Sequence, residues 1–409
     1  MAIGVSIVIG LVSAGPPFVP PESPTSLVPP WFAFNIGCKL HEFFSFLAFA
    51  TQPPDAYIID LSTSYWNSEV AYALTKNKIL DRVEKETASG GTVTCEKVAE
   101  KLELQAFVVC RYMETGMHLH LLDKDADTKG YSLTPHGALL TDSGYLRDFM
   151  LMINEETKDA WRAVTTDLMK DGPKPNRSNG FEITYGSDIW TYFSKNPEAE
   201  TLFDGAMKAL NPGPTGAMIM DWEPPSEDAK ICDIGGGIGS LLGEILLHYP
   251  KMTGIVFDRP EVIKRSQEHL KAVGLADRAK AIGGNFFDDL PNELAECDAF
   301  ILRYIIHDWD DDSNAAILKN IRSVAKKSKK DTKPVVVIMD QIIDTGAASF
   351  FEKAKSQMAI NMISVCPYGA RERSVQEHSD LFDAAGYENV NMKHIPLRTI
   401  QSLVEVEIS

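Results

Sequence analysis

The chain is 409 residues long, 44% hydrophobic and 24% charged, which is enough for two domains and a substantial core. Its formal net charge of −17 argues against a nucleic-acid-binding surface. The six cysteines (Cys38, Cys95, Cys110, Cys232, Cys297 and Cys366) contain no C-x-x-C pair, so neither a zinc knuckle nor a redox motif is expected and no metal is assigned. Reduced thiols in a reducing compartment are the simplest reading, with Cys232 and Cys297 as small apolar residues of core strands.

Residues 1–52 read as a proline-rich leader, either disordered or a targeting segment. Ala2 to Ala14 is apolar and ends near Ser13-Ala14 like a short signal core, yet no Lys or Arg precedes it and it is too short to span a bilayer. Gly15 to Pro30 is expected to be extended and poorly ordered. A cytoplasmic location without membrane association is the reading, with organellar targeting through the leader as the alternative.

Residues 53–145 show helical periodicity and one short polar hairpin. Tyr65 to Leu80 predicts an amphipathic helix, and Thr94 an N-cap without a capping box, because Lys97 stands where a Glu or Gln would be needed. Phe107 to Leu122 predicts a further helix, and Tyr131-Ser-Leu-Thr134 the returning strand after a polar turn over Asp123 to Gly130. Helices closed by a small wing make a winged-helix layout. With an acidic balance and no basic recognition helix, packing or dimerisation is its expected role.

Residues 146–409 comprise a connector and a catalytic domain. Leu146 to about Met220 is helical and aromatic, and can roof a pocket. From Ala229 strands and helices alternate: Lys230–Ile234, Thr253–Asp258, Ala279–Ile282, Ala299–Leu302 and Val335–Met339 are the strand candidates. The expected fold is therefore α/β, a Rossmann-like parallel sheet covered on both faces. Val390–His394 and Thr399–Glu407 add an antiparallel edge hairpin. Asp233, Asp258, Asn285, His307 and Asp340 all fall at or just past strand C-terminal ends, where such sheets bind ligands.

The most informative stretch is Asp233-Ile-Gly-Gly-Gly-Ile-Gly239, which ends one strand and opens a helix. Gly235, Gly237 and Gly239 permit a sharp bend and close ligand approach. Asp258, closing the next strand, can accept both hydrogen bonds of a ribose diol. The spacing is G-x-G-x-G rather than the dinucleotide G-x-G-x-x-G. Asp233, two residues ahead of the first glycine, would repel a pyrophosphate and attract a sulfonium or ammonium group. The cofactor so favoured is S-adenosylmethionine (SAM).

From about Pro53 to the C-terminus the chain resembles the SAM-dependent small-molecule O-methyltransferases of the caffeate/acetylserotonin type. The resemblance is carried by Tyr65-Trp66, Leu133-Thr-Pro-His-Gly-Ala-Leu-Leu140, the glycine motif, Tyr249-Pro250, Phe257-Asp-Arg-Pro260, Gly284-Asn-Phe-Phe287, Ile306-His-Asp-Trp309 and Gly369-Ala-Arg-Glu-Arg373. It implies a homodimer built through the N-terminal part. It also implies that the glycines wrap the methionine end of SAM, Asp258 holds the ribose, and Asn285 and Phe286 contact adenine. Arg303 lies where Lys or Arg approaches the cofactor, and Trp161 resembles a connector tryptophan that closes over it. Asn285 departs from the family's usual Asp.

His307 is the expected general base, since imidazole titrates near neutrality. The resemblance places Asp340 and Glu372 as its acidic partners. Asp340 is one methylene shorter than the usual Glu, so its contact is expected to be indirect. Asp308 is either part of this block or the N-cap of the next helix. Glu372, between two arginines, is otherwise a surface salt bridge. Met207, Met358 and Met362 line the acceptor pocket or are simple core, and Arg371 is a candidate for a substrate carboxylate. The expected reaction is methyl transfer to the hydroxyl of a small molecule. The alternatives are S-methylation of a thioether carboxylic acid, as on the route to dimethylsulfoniopropionate, and a catalytically silent SAM-binding dimeric scaffold.

Overall fold

A computed structural model describes residues 25, 28–163, 169, 179–210, 212–343, 349–388 and 390–408. The apolar stretch Ala2 to Ala14 lies outside them. The chain divides into two compact units. One takes in residues 49–155 and 205–209 of those described. The other takes in 23–48, 156–204 and 210–409 as far as they are described.

In the first unit the predicted Tyr65–Leu80 helix is two helices, Tyr65–Lys76 and Ile79–Thr87. The break falls at Lys78, which has φ 57°, after the Asn77 side chain has donated back to the Ala73 carbonyl at 2.8 Å. A short amide that bonds its own helix end offers the backbone an exit that apolar periodicity does not reveal. Thr94 caps Cys95–Leu102 by accepting the Lys97 amide, as expected from the sequence. The following helix, Ala106–His118, stops four residues short of the predicted end, and His120 turns the chain at φ 57° into the hairpin β1 (Leu122–Lys124) and β2 (Tyr131–Leu133). Leu74, Leu80, Val83, Val98, Met113 and Leu122 form its core.

In the second unit the strands are β3 (Lys230–Ile234), β4 (Thr253–Asp258), β5 (Ala279–Gly283), β6 (Ala299–Arg303), β7 (Val335–Asp340), β8 (Met392–Pro396) and β9 (Ser402–Glu407). Their order is β5-β4-β3-β6-β7-β9-β8. The first five run parallel, and β9 and β8 close the edge antiparallel, as read from the sequence. Chain order reverses between β3 and β6, which places the ligand crevice beyond their C-terminal ends. Phe300, Leu302, Ile338 and Val404 pack against the helices Asp311–Ala325 and Val375–Ala384. Ile231, Val256, Ile301 and Met339 pack in a second cluster with the helix Ser240–His248. Burial on both faces explains why these strands read as continuous apolar runs.

Two expectations are corrected. Cys95 is bonded to Cys110, and Cys232 to Cys297. Their Cα atoms lie 5.0 and 5.9 Å apart, within bridging range, across separations of 15 and 65 residues that carry no signal in sequence. Only Cys38 and Cys366 are free thiols, so the cysteines no longer argue for a reducing compartment. The segment read as leader also contains a helix, Trp31–Thr51. Among the described residues no helix is long and apolar enough to cross a membrane.

The start of that helix is docked within the second unit. Trp31 Nε1 donates to Asp221, Arg398 pairs with both Asp221 oxygens (3.1 and 2.8 Å) and donates to the Pro29 carbonyl, and Phe34 stacks on Phe351. Arg398 also lies 5.5 Å from the Trp31 ring centroid. Arg398→Ala leaves the half-buried Asp221 carboxylate with only the Trp31 Nε1 hydrogen bond and is expected to cost about 1.5–3 kcal/mol. Urea unfolding followed by tryptophan fluorescence checks this, and a loss below about 1 kcal/mol contradicts it.

Candidate active site

β3 ends in a tight bend because Gly235 and Gly237 adopt φ 70° and 56°, and Gly239 (φ 82°) leads into the helix Ser240–His248. Gly235 N donates to the Phe257 carbonyl at 2.7 Å, which ties the bend to β4. A Cβ on Gly235 would lie 2.3 Å from Ile305 Cδ1, whereas one on Gly237 would meet no protein atom within 4 Å. The bend is thus walled on one side and open on another.

Asp258 receives the Gly237 amide on Oδ2 and the Arg259 amide on Oδ1, both at 2.7 Å. Ser266 Oγ donates to the Gly237 carbonyl and braces the loop from behind. Burial raises the Asp258 carboxyl, and the two amides oppose the rise. Asp233 is almost wholly buried, and its Oδ2 has no hydrogen-bond partner among the described residues. Burial pushes Asp233 up to about 7, with Arg303 opposing the rise and Asp258 adding to it. Asn285 is exposed and turns its Oδ1 back onto the Phe287 amide. Phe286 packs edge-on to Trp309 and approaches the bend beside Ile305. Arg303, the last residue of β6, donates to the Leu210 carbonyl.

The turn after β6 carries His307, which is 5% exposed. Its Nδ1 donates to Glu372 Oε1 at 3.0 Å, and its Nε2 lies 3.4 Å from Asp308 Oδ1. Burial disfavours the imidazolium, but Glu372, Asp308 and Asp340 outweigh it and raise the imidazole to about 10. Burial in turn pushes Asp308 up to about 6 and Asp340 up to about 7. Asp340 does not reach the ring: its Oδ1 accepts the Tyr304 amide at 2.9 Å. Asp308 is not the N-cap of Asp311–Ala325, because that role falls to Asp310, whose Oδ1 accepts the Ser313 amide.

The arginines flanking Glu372 bind elsewhere, so Glu372 is no surface salt bridge. Arg373 is buried and donates to the Ile306 and Trp309 carbonyls and to Asp311, holding the turn that bears His307. Arg371 donates to Asp311 (2.8 Å), Glu377 (3.3 Å) and the Gly369 carbonyl. Its guanidinium is thus held by two carboxylates and a backbone carbonyl.

Met358 and Met362 join Phe181, Phe193 and Cys366 in one apolar cluster, so for them core packing holds. Met362 nonetheless touches Cys366, whose thiol donates to Asp308 Oδ1 at 3.2 Å. Trp161 Nε1 donates to Asn361 Oδ1 at 2.8 Å on the helix Ser349–Val365. Met207 is half-buried in a segment of the first unit. Sequence reasoning missed Tyr304 and Cys366. Nothing in either residue type signals proximity to His307, although Tyr304 stands between two residues already singled out, Arg303 and His307.

An O-methyltransferase domain family model matches residues 161–388. Phenazine O-methyltransferase PhzM of Lysobacter antibioticus is 28% identical over 337 residues, covering 82% of this chain and 91% of that protein. The solved structure of LaPhzM aligns with a TM-score of 0.75 at 26% identity, over 88% of this chain and 100% of that one. Human N-acetylserotonin methyltransferase, solved in complex with SAM, shares the fold at TM-score 0.73 and 19% identity, over 87% of this chain and 98% of that one.

Proposed function

Because the chain belongs to the O-methyltransferase domain family, we propose that it methylates a hydroxyl oxygen of a small aromatic acceptor, with His307 as general base. It is a SAM-dependent methyltransferase of small molecules. The observation that carries the finer reading is the buried contact of His307 with Glu372, 65 residues away, beside the glycine bend. The open side of Gly237 and the unpartnered Asp233 Oδ2 fit the methionine end of SAM. When bound, SAM supplies a methyl group on a positively charged sulfur. His307 Nε2 would take the acceptor proton as the acceptor oxygen receives that methyl group and the bonding pair stays on sulfur. Glu372 fixes the tautomer through Nδ1 and stabilises the imidazolium. Holding the reacting atoms in line contributes up to about 7–11 kcal/mol.

Asp258 is assigned the ribose, Asn285 and Phe286 the adenine, and Arg303 and Trp161 closure over the cofactor. Phe43, Phe44 and Phe46 are exposed on the helix Trp31–Thr51, and Ile59 and Trp66 are exposed in the first unit; a second copy covering such apolar side chains is what supports a homodimer. The helix–hairpin unit is its winged-helix-like dimerisation module.

Incubation with methyl-labelled SAM and two acceptor sets, aromatic hydroxyl compounds and thioether carboxylic acids, tests the reading. Label on oxygen supports it. Label on sulfur overturns it in favour of the thioether alternative, and SAM binding without S-adenosylhomocysteine overturns it in favour of the silent scaffold. A second test uses Asp233, which must shed a proton to face a cationic donor. SAM affinity measured by calorimetry is expected to rise with pH, by up to about tenfold per unit below pH 7, and to level off above it. Asp233→Asn is expected to flatten the curve. A wild-type curve already flat from pH 5 to 8 contradicts the assignment.

A further inference from the structure

Tyr304 is one of five non-glycine residues with positive φ among those described, and of these it alone adjoins the site (φ 56°). Such a backbone is disfavoured for a side chain of this size and persists only when its surroundings hold it. Here they do. The Tyr304 amide donates to Asp340 Oδ1 at 2.9 Å, and Asp340 is 2% exposed at the end of β7. The conformation lays the Tyr304 ring on the His307 imidazole, with centroids 5.3 Å apart and planes 18° from parallel. The Arg303 guanidinium carbon lies 5.0 Å from the same ring centroid. The carboxylates within ion-pair distance of the imidazole are Asp308 and Glu372, not Asp340.

We propose that Tyr304 is a positioning residue for the proposed base, and that Asp340, beyond its charge, acts on His307 through it, as an anchor for the Tyr304 amide and without an ion pair to the ring. This rests on His307 being the base. A carboxylate one methylene too short to reach the imidazole still reaches the backbone of the residue that cradles it. The ring then restrains the imidazole face and Glu372 restrains its edge through Nδ1, while Nε2, 3.4 Å from Asp308 Oδ1, is the nitrogen assigned the acceptor proton. Arg303, tied to the Leu210 carbonyl, steadies the ring from the cofactor side of the turn.

The test compares substitutions that separate the anchor from the charge. Asp340→Asn keeps an oxygen that can accept the Tyr304 amide, and Asp340→Ala removes it. Tyr304→Phe keeps the ring, whereas Tyr304→Gly accepts the positive φ without strain and loses it. With full-length protein, Asp340→Asn and Tyr304→Phe are expected to retain at least about threefold more kcat than Asp340→Ala and Tyr304→Gly respectively, each at its own optimal pH. Asp340→Ala and Tyr304→Gly are expected to lose about 10- to 100-fold in kcat, as a misplaced reacting group does, with KM for SAM changed less than about twofold. Tyr304→Gly relieves the positive φ but removes a packed ring, so its melting temperature is expected to fall, and positioning is read from kcat at temperatures where circular dichroism shows the variant folded. Asp340→Asn falling as far as Asp340→Ala, or Tyr304→Gly turning over at the wild-type rate, overturns the proposal alone. A His307→Gln enzyme as fast as wild type overturns the general-base reading and this proposal with it.

Discussion

His307→Gln is expected to lower kcat for a hydroxyl acceptor by about 10²–10⁴-fold while leaving SAM affinity within about twofold, because the base acts on the acceptor proton and not on the donor. The wild-type pH profile carries the same information. Glu372, Asp308 and Asp340 raise the imidazole to about 10, so the resting enzyme holds it as imidazolium at neutral pH. Only the neutral ring can accept a proton. kcat/KM for a hydroxyl acceptor should therefore climb with pH from 7 towards 10, and in His307→Gln that limb should vanish. A thioether has no proton to lose and should show neither the slope nor the full loss. A flat wild-type profile with a phenolic acceptor, together with an active His307→Gln enzyme, would remove histidine from the chemistry.

The second large effect is expected at the glycine bend. Gly235→Ala meets two penalties: a side chain at φ 70°, and a Cβ 2.3 Å from Ile305 Cδ1 and 3.1 Å from Ile305 Cγ1. Gly237→Ala meets only the first, about 1–2 kcal/mol for a left-handed backbone. Gly235→Ala should accordingly lower unfolding stability more than Gly237→Ala, by at least about 1 kcal/mol beyond it. SAM affinity should separate from this order. The space in front of Gly237 is free of protein, so a methyl group there competes with the cofactor itself. Gly237→Ala is expected to weaken SAM binding at least about tenfold despite its milder effect on folding. Equal SAM affinity in wild type and both variants, by calorimetry, would place the cofactor elsewhere.

How much was legible in the sequence follows from how local each signal is. The strands of the second unit read correctly because each is a short apolar run between turn residues, and burial on both faces makes that pattern strong. Asp258 read correctly as the end of β4 for the same reason. The break at Lys78 did not, because it depends on one amide bonding back to Ala73 within a stretch whose apolar spacing continues unbroken. The bridges Cys95–Cys110 and Cys232–Cys297 were illegible because nothing in the spacing tells which side chains face each other across two elements. The indirect contact of Asp340 was foreseen from its length, but not that a backbone amide would receive it. The partners of Arg371, Asp311 and Glu377, were illegible because they come beside it only once the loop has folded.

The His307 cluster draws on the turn after β6, the end of β7 and the loop bearing Glu372, whereas the glycine bend and Asp258 lie within 26 residues of one another (233 to 258). On the proposed reading, grip on the donor is encoded in one compact stretch and proton handling in a scattered one. The helix Ser349–Val365, with Met358 and Met362 and with Cys366 just beyond its end, belongs to neither the bend nor the strands. A substitution in that helix therefore reaches Asp308 through Met362 and the Cys366 thiol while leaving the bend and the strands untouched.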